Sequence, residues 1–124
     1  MPRFVILEHH LQGVHWDFML ESGATLRTWR LAEAPVTDRT IVATPLPDHR
    51  RMYLEYEGEV SGGRGHVLRW DWGEFEWVGD DPQSVEVTLH GQRLSGRVYL
   101  GTGASGWAFR LTPLASDSRD SAVS

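Results

Sequence analysis

Three histidines and an aspartate crowd the stretch "EHHLQGVHWDFMLE", residues 8–21: His9, His10, His15 and Asp17, in a chain with 6 histidines altogether. Imidazole nitrogens and a carboxylate are the donors that hold divalent transition metals where thiolate is lacking, and this chain has no cysteine. His15 and Asp17 are two positions apart, so on a strand their side chains share a face, about 7 Å apart at Cα and near enough to converge on one ion. His9 precedes a short "HLQG" connection that could fold it back beside His15. His10 points to the opposite face of an extended chain and is the spare. Two histidines and one aspartate leave open positions on an octahedral ion for substrate and water, and manganese or a similar divalent ion suits such mixed ligands. The same pattern also fits surface histidines at a strand end beside an exposed aspartate, and spacing alone does not choose between the two.

The elements that must position these residues show a period of two rather than 3.6. Val5-Ile6-Leu7 reads as a buried strand, and Trp16, Phe18 and Leu20 alternate with His15, Asp17 and Met19. Further strands are expected at Leu26–Leu31, Thr40–Ala43 and Met52–Val60. "HVLRWDWGEFEWV" (66–78) suggests two strands about a tight turn near Gly73, and "SVEVTLHGQRLSGRVYL" (84–100) two more about His90-Gly91. "GWAFRLTPL" supplies a last strand, and no stretch offers an amphipathic helix. The fold class expected is all-β: a small closed or partly closed barrel of about eight short antiparallel strands. Residues 1–115 are read as one domain and 116–124 as a disordered polar tail.

The 124 residues carry a formal net charge of −5, which argues against a general nucleic-acid coat protein but not against an enzyme that engages a strand end locally. All 12 basic residues are arginine, the better bidentate phosphate ligand. No apolar run is long enough to span a membrane, and the one in "MPRFVILEHH" is too short for a signal peptide. A cytoplasmic monomer is expected.

These residues resemble those of a known family. "RFVILEHHLQGVHWDFMLESGATLRTWRL" resembles the 3′-phosphoesterase module found at the N-terminus of bacterial DNA ligase D and also as a stand-alone protein. The resemblance continues in "DHRRMYLEYEG" and more weakly through "WDWGEFE" and "LHGQRLSGRVYL", over roughly residues 3–112. It implies a manganese ion held by His9, His15 and Asp17, with His49 and Tyr53 beside the phosphate being cleaved. It also implies a small β-barrel that trims 3′ ends of DNA or RNA-tipped DNA, removing a terminal ribonucleoside and then the 3′-phosphate. The 3′-hydroxyl left behind serves a ligase or polymerase in trans.

The chemistry suits these side chains. His49, in the stretch "PDHRRM" read as a loop, carries an imidazole, which could donate to a phosphoryl oxygen or act as the acid for a leaving group. Met19 stands where the resemblance implies a phosphate-binding arginine, and Pro47 where it implies an acid. Arg30 is the first candidate substitute; Arg50, Arg51 and Arg64 are others, each of which fits a solvated surface role better. A turn centred on Ser22-Gly23 would set Arg30 opposite His15, facing the phosphate. Two other classes stay in view: a catalytically weak relative that binds DNA ends or nucleotides, and a cupin-like metal oxygenase. The oxygenase is disfavoured by Trp16 and Phe18, which stand where cupin motifs place glycines and a glutamate.

Overall fold

The alternation along the chain resolves into nine strands. The computed structural model describes residues 1–114; the expected polar tail, 116–124, lies outside them. The strands are β1 (Arg3–His10), β2 (Val14–Ser22), β3 (Thr25–Leu31), β4 (Ile41–Arg50), β5 (Gly58–Glu59), β6 (His66–Asp81), β7 (Ser84–Gly91), β8 (Ser95–Gly103) and β9 (Gly106–Thr112). A single 3₁₀ turn, Arg51–Leu54, is the only helical element among the described residues. The sheet runs β1-β2-β3-β4-β9-β8-β7-β6-β5, and an additional β1–β6 pairing closes a ring of eight antiparallel strands. The expected barrel is there, with β5 attached to it only through β6.

The two faces of the ring are covered by different residues, as a period of two demands. Phe4 and Ile6 of β1, Phe18 and Leu20 of β2, Phe75 of β6 and Phe109 of β9 point inward and fill the lumen. Val5 and Leu7 of β1, Met19 of β2 and Leu26 of β3 point outward, yet they are just as buried, because Leu54 and Val67 pack over them with Tyr53 and Tyr56 beside. The stretch from the 3₁₀ turn to the start of β6 thus forms a second, smaller core against the outer wall. The parity that places Leu7 and Met19 outside also places His9, Asp17 and His15 outside.

Five expectations are corrected here. No turn occurs at Gly73: β6 runs through it, and a Cβ there would lie 2.1 Å from the His90 carbonyl oxygen, so the glycine admits close approach of β7. The β7–β8 turn falls at Gln92–Leu94, with His90 and Gly91 still in strand β7. It is fastened by Asp71, whose buried carboxylate accepts the backbone N–H groups of Trp72, Gln92, Arg93 and Leu94 at 2.8–2.9 Å. Met52–Val60 is not one strand but the 3₁₀ turn followed by the two-residue β5, and β4 is longer than Thr40–Ala43. The β2–β3 turn is centred on Gly23-Ala24 rather than Ser22-Gly23, because Ser22 pairs with Thr25 and Gly23 has φ +62°. That one-residue difference moves the register by two. Arg30 faces Asp17, not His15, and Met19 faces Thr28.

Candidate metal centre

The tight connection Leu11–Gly13, with Gln12 and Gly13 both at positive φ, turns the chain so that His9 of β1 pairs directly with His15 of β2. Asp17 lies two residues along β2 on the same face. Ligand atoms of these three side chains fall within 4.8 Å of one another. His9 Nδ1 is 2.9 Å from His15 Nε2 and 3.5 Å from Asp17 Oδ2, and His15 Nε2 is 3.9 Å from Asp17 Oδ1. Two donors bound side by side to one ion at about 2.1 Å would themselves sit about 3 Å apart. The donor set therefore fits a single divalent cation. His10 stays out of the group: it bonds Glu8 at 2.6 Å and stacks on His66.

Protonation points the same way. His9 Nε2 lies 2.8 Å from the backbone carbonyl of Arg64, which accepts a hydrogen bond and cannot donate one. His9 therefore carries its proton on Nε2 and turns the Nδ1 lone pair toward His15 and Asp17. A histidine held by a carbonyl on one nitrogen and free on the other is the usual arrangement of a metal ligand. Burial, opposed by the Asp17 carboxylate but helped by Arg30 and His9, pushes the His15 imidazole below its ordinary value. It stays neutral, and able to ligate, to a lower pH than a free histidine.

A cleft of about 600 Å³ opens over this outer wall. His9, Asp17, Arg30, His49 and Tyr53 all line it, on a floor that includes Leu7, Met19 and Val67. His15 is not a wall residue and joins through its contact with His9. His49 stands near the end of strand β4, not in a loop, and Tyr53 in the 3₁₀ turn that follows. Their rings meet edge to face with centroids 5.9 Å apart. His49 Nδ1 donates to the Pro47 carbonyl at 2.8 Å, which leaves Nε2 as its free nitrogen. Glu21 braces this arrangement by accepting the Arg3 backbone N–H at 2.9 Å and pairing with Arg51. Burial alone would raise the Glu21 carboxyl, but those two partners hold it below the ordinary carboxylate value.

Arg64 and Gly65 are the contributors that pattern reading missed as supports of His9. The signal was the glycine-rich "SGGRG" before β6. Gly62, Gly63 and Gly65 all adopt positive φ, and a Cβ on Gly65 would lie 1.9 Å from the His10 carbonyl oxygen. Only glycine lets this turn press onto β1 closely enough for the Arg64 carbonyl to reach His9.

Residues 7–101 match the family described as the DNA ligase D 3′-phosphoesterase domain. The chain belongs to that family. The matched span includes the histidine–aspartate group, Arg30, His49, Tyr53 and the Arg64 turn. Among relatives of this phosphoesterase domain, the multifunctional non-homologous end joining DNA repair protein LigD of Mycobacterium tuberculosis is 39% identical over 107 residues, covering 78% of this chain and 14% of the relative. The multifunctional non-homologous end joining protein LigD of Pseudomonas aeruginosa is 31% identical over 108 residues, covering 79% of this chain and 13% of the relative. That of Mycolicibacterium smegmatis is 32% identical over 116 residues, covering 79% and 15%. The chain thus spans about one-seventh of the length of these relatives. Among the described residues no helix is long and apolar enough to cross a membrane.

Proposed function

We propose that this chain is a metal-dependent phosphoesterase of DNA repair that processes 3′ ends, removing 3′-ribonucleosides and 3′-phosphates to leave a 3′-hydroxyl. The observation that carries this reading is the single cleft that gathers His9, Asp17, Arg30, His49 and Tyr53 in a chain of the phosphoesterase-domain family. His9, His15 and Asp17 would hold the ion, manganese or another divalent transition metal, as mixed imidazole and carboxylate donors do. When bound, such an ion neutralises phosphate oxygens and polarises a water.

The remaining work falls to side chains of this chain. His49, with its Nδ1 proton committed to Pro47, presents Nε2 to the phosphate. In its imidazolium form it donates from Nε2 to a phosphoryl oxygen or passes that proton to the leaving oxygen, returning to the neutral Nδ1–H ring. Tyr53 limits the tilt of the His49 ring and offers its hydroxyl as a further donor. Arg30 balances anionic charge on the β3 side of the cleft. The substrate is a DNA or RNA-tipped DNA end, and the product suits a ligase or polymerase supplied in trans. We expect a cytoplasmic monomer folded as one domain. Met19, apolar where a cation would help, favours a second reading in which the cleft binds strand ends without cleaving them.

Purified protein with Mn²⁺ and a labelled primer ending in 3′-phosphate or a 3′-ribonucleotide tests the proposal. Conversion to a 3′-hydroxyl primer is expected. Asp17→Ala should lose tenfold or more in Mn²⁺ affinity by calorimetry, whereas His49→Ala should stop turnover with Mn²⁺ affinity nearly intact. Wild-type protein that binds Mn²⁺ yet leaves both primers unchanged overturns the esterase reading in favour of the end binder.

A further inference from the structure

Three arginines line the cleft: Arg30, Arg50 and Arg64. The Arg30 charge is already countered by Asp17 at 3.3 Å. Arg64 forms no ion pair with a carboxylate among the described residues. Neutral groups hold it: Nε donates to the Ser61 carbonyl at 2.7 Å and a terminal nitrogen donates to Ser61 Oγ at 3.2 Å. Its other guanidinium N–H groups remain free. Arg50, exposed as Arg64 is, makes no side-chain hydrogen bond among the described residues. Arg64 is therefore the one cation of the cleft that is both uncompensated and ordered in advance. A pre-ordered guanidinium loses little conformational entropy when it takes an anion, and its planar fork suits phosphate oxygens.

Its place is fixed by the same turn that fixes His9. The Arg64 carbonyl is 2.8 Å from His9 Nε2, so the residue that presents the guanidinium is anchored beside the candidate ligands. Of the other charged groups lining the cleft, Arg30 pairs with Asp17. The carboxylates of Asp48, which accepts from the Thr25 hydroxyl at 3.0 Å, and of Glu59 form no ion pair among the described residues, so an anion entering the cleft needs a cation held at the point of contact.

We propose that the Arg64 guanidinium is the group that captures the terminal 3′-phosphoryl group of a strand end on binding, a role separate from that of Arg30, which acts on the charge that develops during turnover. The Arg64 guanidinium supplies the positive charge that Met19 does not. This inference rests on the end-processing reading. Because His9 is held by the main-chain carbonyl of Arg64, the side chain can be replaced without removing that support.

The experiment measures binding of two single-stranded oligonucleotides of one sequence by fluorescence anisotropy with Mn²⁺ present. One ends in a 3′-methylenephosphonate, which mimics the phosphate and cannot be hydrolysed; the other ends in a 3′-hydroxyl. Wild type should prefer the phosphonate end. Arg64→Gln should lose about tenfold or more in affinity for that end, the scale of one charged hydrogen bond, and nothing for the hydroxyl end. Arg64→Lys should recover part of the loss. Unchanged Mn²⁺ affinity and thermal unfolding in both variants show that fold and His9 support are intact. An Arg64→Gln protein that keeps the wild-type preference, or that weakens equally on both ends, overturns the assignment. Wild type that does not distinguish the two ends defeats the end-processing reading itself, a separate outcome.

Discussion

Asp17 and Arg30 face each other across the β2–β3 pair, with Arg30 Nε 3.3 Å from Asp17 Oδ1. One of the candidate metal ligands is therefore also the counter-charge of the nearest cation. Removing the guanidinium should act in opposite directions on the two functions. Arg30→Ala should cut turnover on a 3′-phosphate primer by about 10²-fold, the usual cost of one lost transition-state donor. Its Mn²⁺ affinity should hold or rise, since a competing positive charge has gone. A fall in Mn²⁺ affinity by calorimetry would show that Arg30 positions Asp17 instead.

Met19→Arg bears on the same question from the floor of the cleft. Met19 is 1% exposed and packed among Val5, Leu7 and Leu26. An arginine there has to leave that small core to reach the cleft, so the variant should lose about 1–3 kcal/mol of stability in urea unfolding. Any rise in turnover would have to be read against that loss. A variant as stable as wild type refutes the packing role given to Met19.

Gly65→Ala should disturb the candidate ligand without touching it. The added methyl group meets the His10 carbonyl at 1.9 Å, and the residue is already at φ +75°. The turn must lift from β1, and the Arg64 carbonyl with it. Loss of such a support typically weakens metal affinity by about 10–100-fold. The check is Mn²⁺ calorimetry together with ¹⁵N spectra of His9, whose Nε2–H tautomer should no longer dominate. Unchanged affinity and tautomer would mean that the carbonyl does not hold the ring.

Glu21 predicts how stability varies with pH. Its folded-state carboxyl is held below the ordinary value, so it stabilises the fold above the unfolded-state value near 4.5 and loses that contribution as pH falls through the lower folded-state value. Glu21→Gln should therefore be less stable than wild type at neutral pH, by about 1 kcal/mol. The two proteins should converge in acid. Urea midpoints measured from pH 7 to pH 3 check this, and a difference that widens in acid contradicts it.

Asp71 concerns stability alone. Its carboxylate serves four backbone N–H groups, three of them in the Gln92–Leu94 turn, and none of these residues lines the cleft. Asp71→Ala should cost about 3 kcal/mol in urea unfolding, with Mn²⁺ affinity unchanged under conditions where the variant remains folded. A small cost would mean that water replaces the carboxylate.

What could be read in the amino-acid sequence follows the range of each interaction. The period of two assigns Phe18 to the lumen and Asp17 to the outer wall, because only parity is involved. His9, His15 and Asp17 meet through one short turn, so their proximity is local and legible. The partner of Arg30 was misplaced because a single residue in the position of the Gly23-Ala24 turn shifts every pair beyond it. Gly73 imitates a turn, but its lack of a side chain serves a neighbouring strand, which no local pattern records. The Arg64 carbonyl reaches His9 across a separation of 55 residues. That contact depends on closure of the ring between β1 and β6.

The cleft lies on the outside of a barrel whose lumen is plugged by Phe4, Phe18, Phe75 and Phe109. A ligand therefore never has to thread through a ring or enter a tunnel. A polymer can be laid across the wall from the side, with only its last residue at His9 and the rest running off into solvent, whatever its length. Nothing in the barrel measures how long that polymer is, so any selectivity must be exercised at its tip.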